Sequence, residues 1–211
     1  MSAALSGEQW SLGEPLSDTR EHWPVTRTVR PYEGFIGVRE DAVAGPDGTS
    51  FTRVVVESPG AVGVLVVDDA EASDPRVLLL RQYRHAAGSR LLEIPAGLLD
   101  VAGEPPLEAA VRELAEEASL QADSWTLLMR TWASPGHSDE YWHVYLATGV
   151  SPIADADTFV REHEEADMTA VWVPLSAALD AVLDGRLCDS MAASALLALH
   201  ARRTRAVGAE D

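Results

Sequence analysis

Residues 103–120, GEPPLEAAVRELAEEASL, carry a strongly helical pattern, and strand-like runs flank them on both sides. A lone helix between two sets of strands has to bury one stripe against a sheet, which points to a layered, mixed architecture. Pro105 and Pro106 suit a first helical turn, where backbone N–H groups lack intrahelical partners. Leu107, Ala110, Val111, Leu114 and Ala118 recur at helical spacing and are expected to form the buried stripe. The segment also holds five glutamates, of which Glu113, Glu116 and Glu117 stand at i, i+3 and i+4. Like charges so placed repel by roughly 0.2–0.5 kcal/mol a pair. Two readings of the helix alone stay open. The carboxylates are either a solvated polar face or oxygen ligands for a hard divalent cation.

The flanking runs supply the sheet. From Trp23 onward the chain is rich in Val, Thr and aromatics, with a hairpin turn at PDG, 46–48, joining arms 35–43 and 50–57. Residues 61–68 form a continuous apolar run, typical of a buried strand. Further strands are expected in VLLLRQYRH (77–85), LLEIPAGLL (91–99, interrupted at Pro95), WTLLMRTWA (125–133) and YWHVYLATGV (141–150). Residues 151–169 read as an acidic loop, VWVPL (171–175) closes the sheet, and helices follow at 176–184 and 190–203. The fold class is therefore α+β, a sandwich of helices and a mixed sheet. Its expected divisions are a loosely ordered arm (1–22), N-terminal strands (23–58), a main domain (59–204) and a short tail (205–211).

Composition narrows the partners. A hydrophobic content of 46% over 211 residues supports an ordinary core, and there is no apolar run near the 18 residues a membrane span needs. The N-terminus has neither a basic start nor an apolar stretch, and a single cysteine, Cys188, allows no internal disulfide. A cytoplasmic location is expected, with neither nucleic acid nor membrane as partner. The formal net charge of −18 opposes any phosphate backbone, and any anionic small substrate would need arginines or a metal ion close at hand.

Taken together, Gly97, Glu104, Arg112, Glu113, Leu114, Glu116, Glu117 and Leu120 resemble the Nudix box, a glycine followed by Glu and Arg-Glu-apolar-x-Glu-Glu at fixed offsets. There are two departures. Six residues separate Gly97 from Glu104, one more than is usual, and Ser119 stands where the family has glycine. That glycine ends the helix in a left-handed conformation, which costs another residue roughly 1 kcal/mol. The resemblance implies a Nudix α/β/α sandwich. It implies Glu113, Glu116, Glu117 and the carbonyl of Ala96 as ligands for Mg²⁺ (Mn²⁺ as a substitute), and Arg112 as the residue that orients the glutamates. Glu104 is a further candidate.

LLEIPAGLLD, Pro135 and the segment ASPGHSDE (133–140) are similar to the ADP-ribose pyrophosphatase branch, and the insertion before the box and HEEADM (163–168) to its actinobacterial members. That likeness implies hydrolysis of ADP-ribose to AMP and ribose 5-phosphate. A broader sugar-nucleotide or dinucleotide pyrophosphatase and a non-catalytic ADP-ribose sensor are the alternatives. The general base is expected outside the crowded helix, at Glu165 or Glu164. Arg84 aligns with a phosphate-binding arginine, while Arg81, an odd number of positions away, faces the other side of its strand. Arg53, Glu140 and Ser138 complete the implied substrate contacts, Glu140 as an acceptor for a ribose hydroxyl. The branch also implies a homodimer whose N-terminal strands exchange between subunits. His137, Cys188 and most of the tryptophans are expected to be exposed or packing residues.

Overall fold

The computed structural model describes residues 10, 11, 13, 15–68, 73–154 and 167–207. β1 (Val25–Tyr32), β2 (Gly37–Ala44) and β3 (Ser50–Glu57) form an antiparallel three-stranded sheet, with the hairpin register Val38↔Val56 to Ala44↔Ser50 closed by the PDG turn. β4 (Ala61–Asp68), β5 (Arg76–Arg84), β6 (Ser89–Glu93), β7 (Ala96–Leu98), β8 (Leu120–Trp132), β9 (Tyr141–Pro152) and β10 (Thr169–Pro174) form the main sheet. Its principal order is β10-β5-β4-β9-β8, with β6 paired to β5 and β7 to β4. β4 and β9 run parallel and every other pairing is antiparallel, so the sheet is mixed.

β4 is buried over nearly its whole length and feeds both faces of the sheet. Val62, Val64 and Val66 pack with Ala109, Ala110 and Leu114 of α1 (Pro106–Ala118). Ala61, Leu65 and Val67 pack with α2 (Leu175–Leu183) and α3 (Ser190–Val207), through Leu175, Ala178, Ala195 and Leu196. Alternation along one strand thus creates two cores, and the architecture is the α/β/α sandwich that the resemblance implies. Fully burying each of the valines and leucines among these contributes about 1.5–3 kcal/mol. No helix among the described residues is long and apolar enough to cross a membrane.

α1 lies differently from the expected stripe. Leu107 and Val111 are 40% and 44% exposed, whereas Ala109, Ala110, Leu114 and the carboxylates of Glu113 and Glu117 turn inward. At 100° per residue the inward face sits about a quarter-turn from the one that apolar spacing selects. Alanines let the helix approach β4 closely, and the glutamates occupy the part of that face bordering β7. The extra residue before the box is absorbed in a turn in which the Glu104 N–H donates to the Val101 carbonyl (3.1 Å), with Gly103 at φ +82°. Ser119 ends the helix at φ +56°, the one positive-φ residue other than glycine among the described residues.

Candidate active site

A cleft of about 670 Å³ opens where α1, β6, β7 and the start of α3 meet. Glu113 and Glu117 reach into it, 9% and 8% exposed. Oε2 of Glu117 accepts the Ala96 N–H at 2.8 Å, so the strand after Pro95 grips the helix by a carboxylate. The Arg112 guanidinium organises the rest. Nε and Nη2 donate to the two oxygens of Glu104 (3.1 and 3.0 Å), and Nη1 donates to Glu113 (2.6 Å) and Glu116 (3.2 Å). The bond to Arg112 holds the Glu104 carboxyl below its ordinary range, and the same bond raises Arg112.

The three box glutamates do not converge as their spacing suggests. Glu113 and Glu117 line the cleft, while Glu116 is more exposed and is bonded to Arg112. Among the described residues no cluster of three His, Cys, Asp or Glu side chains forms a ready-made metal cage. The physical reason is competition, since a guanidinium beside carboxylates on one turn draws them to itself. The donor set still fits a hard cation, being all oxygen and rich in negative charge.

Arg84 lines the cleft from the end of β5. Its Nε and Nη2 form a bidentate pair with Glu93 (2.9 and 2.7 Å), and that bond raises Arg84. Arg81 is exposed on the same strand and does not line the cleft. Asp189 lines the cleft at the start of α3, where Oδ1 accepts the Ala192 N–H at 2.7 Å. Burial pushes its carboxyl up, Glu93 adds to this and Arg84 opposes it.

Glu140 lines the opposite lip and accepts from Ser58 Oγ at 3.4 Å. Ser138 lies beside it, donating from Oγ to the Val56 carbonyl (3.3 Å) and accepting from the Glu140 N–H (3.1 Å). This lip is tied to the N-terminal sheet by Arg39, which bonds Asp41 (2.9 Å), Glu57 (3.0 Å) and Asp139 (2.8 Å). Arg53 stands apart: its guanidinium lies 4.4 Å from the Phe51 ring centroid, on β3, and does not line the cleft of its own chain. Glu164 and Glu165 lie outside the described residues.

Several cleft residues escaped the sequence reading, namely Phe35, Glu93, Asp100, Trp142, Asp189 and Met191. Glu93 stood inside EIPAG, so that motif could have marked it. No local signal distinguished Asp189, because its role depends on where α3 docks.

A mixed sheet between helices, with the helix-borne glutamates and their arginine in a cleft, defines a Nudix domain. The NUDIX domain model matches residues 57–189, and the chain belongs to the Nudix hydrolase family. It is 46% identical over 170 residues to the ADP-ribose pyrophosphatase of Mycobacterium tuberculosis, covering 81% of this chain and 79% of that protein. It is 32% identical over 168 residues to the methanol dehydrogenase activator of Bacillus methanolicus, covering 78% and 86%. The crystal structure of an ADP compounds hydrolase superposes with a TM-score of 0.70, covering 87% of this chain and 95% of that one, at 20% identity, which establishes a shared fold.

Proposed function

We propose that the protein is an ADP-ribose pyrophosphatase that uses Mg²⁺, or Mn²⁺ in its place, to yield AMP and ribose 5-phosphate. The observation that carries the reading is the charge of the cleft. Among the described residues six carboxylates line it (Glu93, Asp100, Glu113, Glu117, Glu140 and Asp189) against two guanidiniums, Arg84 and Arg112, each already paired with carboxylate. A diphosphate enters such a cleft only together with cations. Glu113, Glu116, Glu117 and the Ala96 carbonyl would hold them. Divalent ions there would neutralise the diphosphate and lower the pKa of water at the reacting phosphorus.

The side chains of this protein do the remainder. Arg112 keeps the glutamates oriented, Arg84 receives phosphate, and Glu140 and Ser138 take ribose hydroxyls. Glu165, or Glu164 beside it, removes the proton from the attacking water. Oxygen adds to one phosphorus as the bridging P–O bond breaks, and the proton balance is completed on the departing phosphate. The 46% identity to the mycobacterial pyrophosphatase supports ADP-ribose as substrate. A broader sugar-nucleotide specificity is the second reading, since the relatives aligned over most of the chain carry different names.

We further infer a cytoplasmic homodimer that engages neither nucleic acid nor membrane, with residues 23–58 exchanged between subunits, residues 59–204 as the catalytic domain, 1–22 as an arm and 205–211 as a tail. β1 is exposed along its whole length, and Val25, Val29, Tyr32 and Val54 of this sheet are exposed large hydrophobics. Such a surface supports a second copy as its cover, and exchange would carry Arg53 toward the partner's cleft. Sedimentation showing a monomer at micromolar concentration would overturn the dimer. For the activity, the protein is incubated with ADP-ribose and Mg²⁺ and the products are separated by chromatography. AMP and ribose 5-phosphate are expected, and their absence at micromolar enzyme would refute the assignment. A panel of sugar nucleotides decides between the narrow and the broad substrate range.

A further inference from the structure

We propose that Glu93 is a positioning residue for substrate binding: it draws the Arg84 guanidinium back along the β5–β6 hairpin into the cleft and leaves the Nη1 edge for the substrate's phosphate. This rests on the pyrophosphatase reading above. In the hairpin register Arg84 faces Ser89 at the mouth of the turn, whereas Glu93 faces Leu80. Four residues of strand separate the two positions, about 13 Å at the rise of an antiparallel strand. The side chains meet only because both lean along the same face of the hairpin. An arginine at the hairpin mouth with no such acceptor would extend into solvent, where its rotamer freedom is greatest.

Glu93 is suited to the task. It is 5% exposed, and a carboxylate so buried requires a partner that neutralises it and fills its lone pairs. Both its oxygens are engaged by Nε and Nη2 of Arg84, a fork that fixes the plane of the guanidinium as well as its place. The Arg84 hydrogen bonds run from Nε and Nη2 to Glu93, with no acceptor for Nη1 among the described residues, and the residue lines the cleft. Lysine in this position would keep the charge but could not be held in a plane. Glu117 and Asp189, which also line the cleft, add two further carboxylates within electrostatic reach of Arg84. The guanidinium is thereby placed, but its charge is largely spent. It can orient a phosphate, while neutralisation has to come from elsewhere in the cleft.

The test is a cycle of Glu93→Gln, Arg84→Lys and the double variant, assayed on ADP-ribose with Mg²⁺. Each single change is expected to raise KM roughly tenfold, by more than it lowers kcat, because the lost contact is a hydrogen bond to a charged group. Glu93→Gln is expected to add nothing further in the Arg84→Lys background. Equal effects of Glu93→Gln in both backgrounds, or an unchanged KM in either single variant, would overturn the proposal. The ¹⁵Nε–H resonance of Arg84 gives a readout independent of turnover. It should exchange slowly with solvent in the unmodified protein and rapidly in Glu93→Gln. A wild-type protein that makes no AMP yet shows this difference refutes the substrate assignment alone, whereas normal turnover with unaltered exchange refutes the role of Glu93.

Discussion

Gly97 and Glu113 share a space that only glycine leaves open. A Cβ built at position 97 would lie 2.0 Å from both Cδ and Oε1 of Glu113, far inside any van der Waals contact. The glycine of the box is therefore a steric requirement of the carboxylate, as φ at this position is not in the left-handed region. Gly97→Ala should push Glu113 out of place. A displacement near 1 Å at a reacting site costs on the order of 10²-fold in rate, and overpacking costs about 1–3 kcal/mol in stability. Steady-state kinetics and thermal melts check both effects.

Glu117→Gln keeps the shape of the side chain and an acceptor for the Ala96 N–H. It removes a negative charge from the proposed cation site and relieves repulsion with Glu113, four positions earlier. We expect kcat to fall on the order of a thousandfold, as loss of several kcal/mol of metal-supplied stabilisation implies. The melting temperature should be held or slightly raised. Chelation by EDTA should abolish activity in the unmodified enzyme, with recovery on adding Mg²⁺. A Glu117→Gln enzyme with normal kcat would place Glu117 outside the metal site.

Ser119 offers a stabilising change. It adopts φ +56° and ψ +36°, with its N–H bonded to the Ala115 carbonyl at the end of α1. Glycine adopts this conformation without the steric penalty, so Ser119→Gly should raise stability by about 0.5–1 kcal/mol after its greater unfolded-state entropy is counted. Chemical denaturation measures the gain, and kcat should be unaffected.

Asp189 predicts a dependence on pH. Burial raises its carboxyl above the ordinary aspartate range, so the folded chain holds that proton more tightly than the unfolded chain. Protonation is therefore stabilising, and this contribution is lost as pH rises from the unfolded value through the raised folded one. Asn serves as well as Asp at a helix N-terminus, so Asp189→Asn preserves the bond to the Ala192 N–H while abolishing the titration. The melting temperature of the variant relative to the parent should increase with pH across that window. A constant difference would mean that Asp189 titrates normally.

The linear spacing of residues determined the strand runs and the helix and set Glu113, Glu116, Glu117 and Arg112 on neighbouring turns of it, while their reading as a cation site came from the likeness to the Nudix box. That likeness also marked Ser119 as a strained end, because the family has glycine there. What the spacing could not determine was the rotation of α1. Leu107 and Val111 obey the helical period as well as Leu114 does, and only docking against β4 and β7 selects which side of the helix is inward. Likewise Arg84, Glu93 and Asp189 lie on β5, on β6 and at the start of α3, and their meeting depends on the hairpin register and the seating of α3. Periodicity is a property of short stretches, whereas a cleft is made where distant stretches pack. The carboxylates were thus written in the chain, and tertiary packing decided which of them face one another.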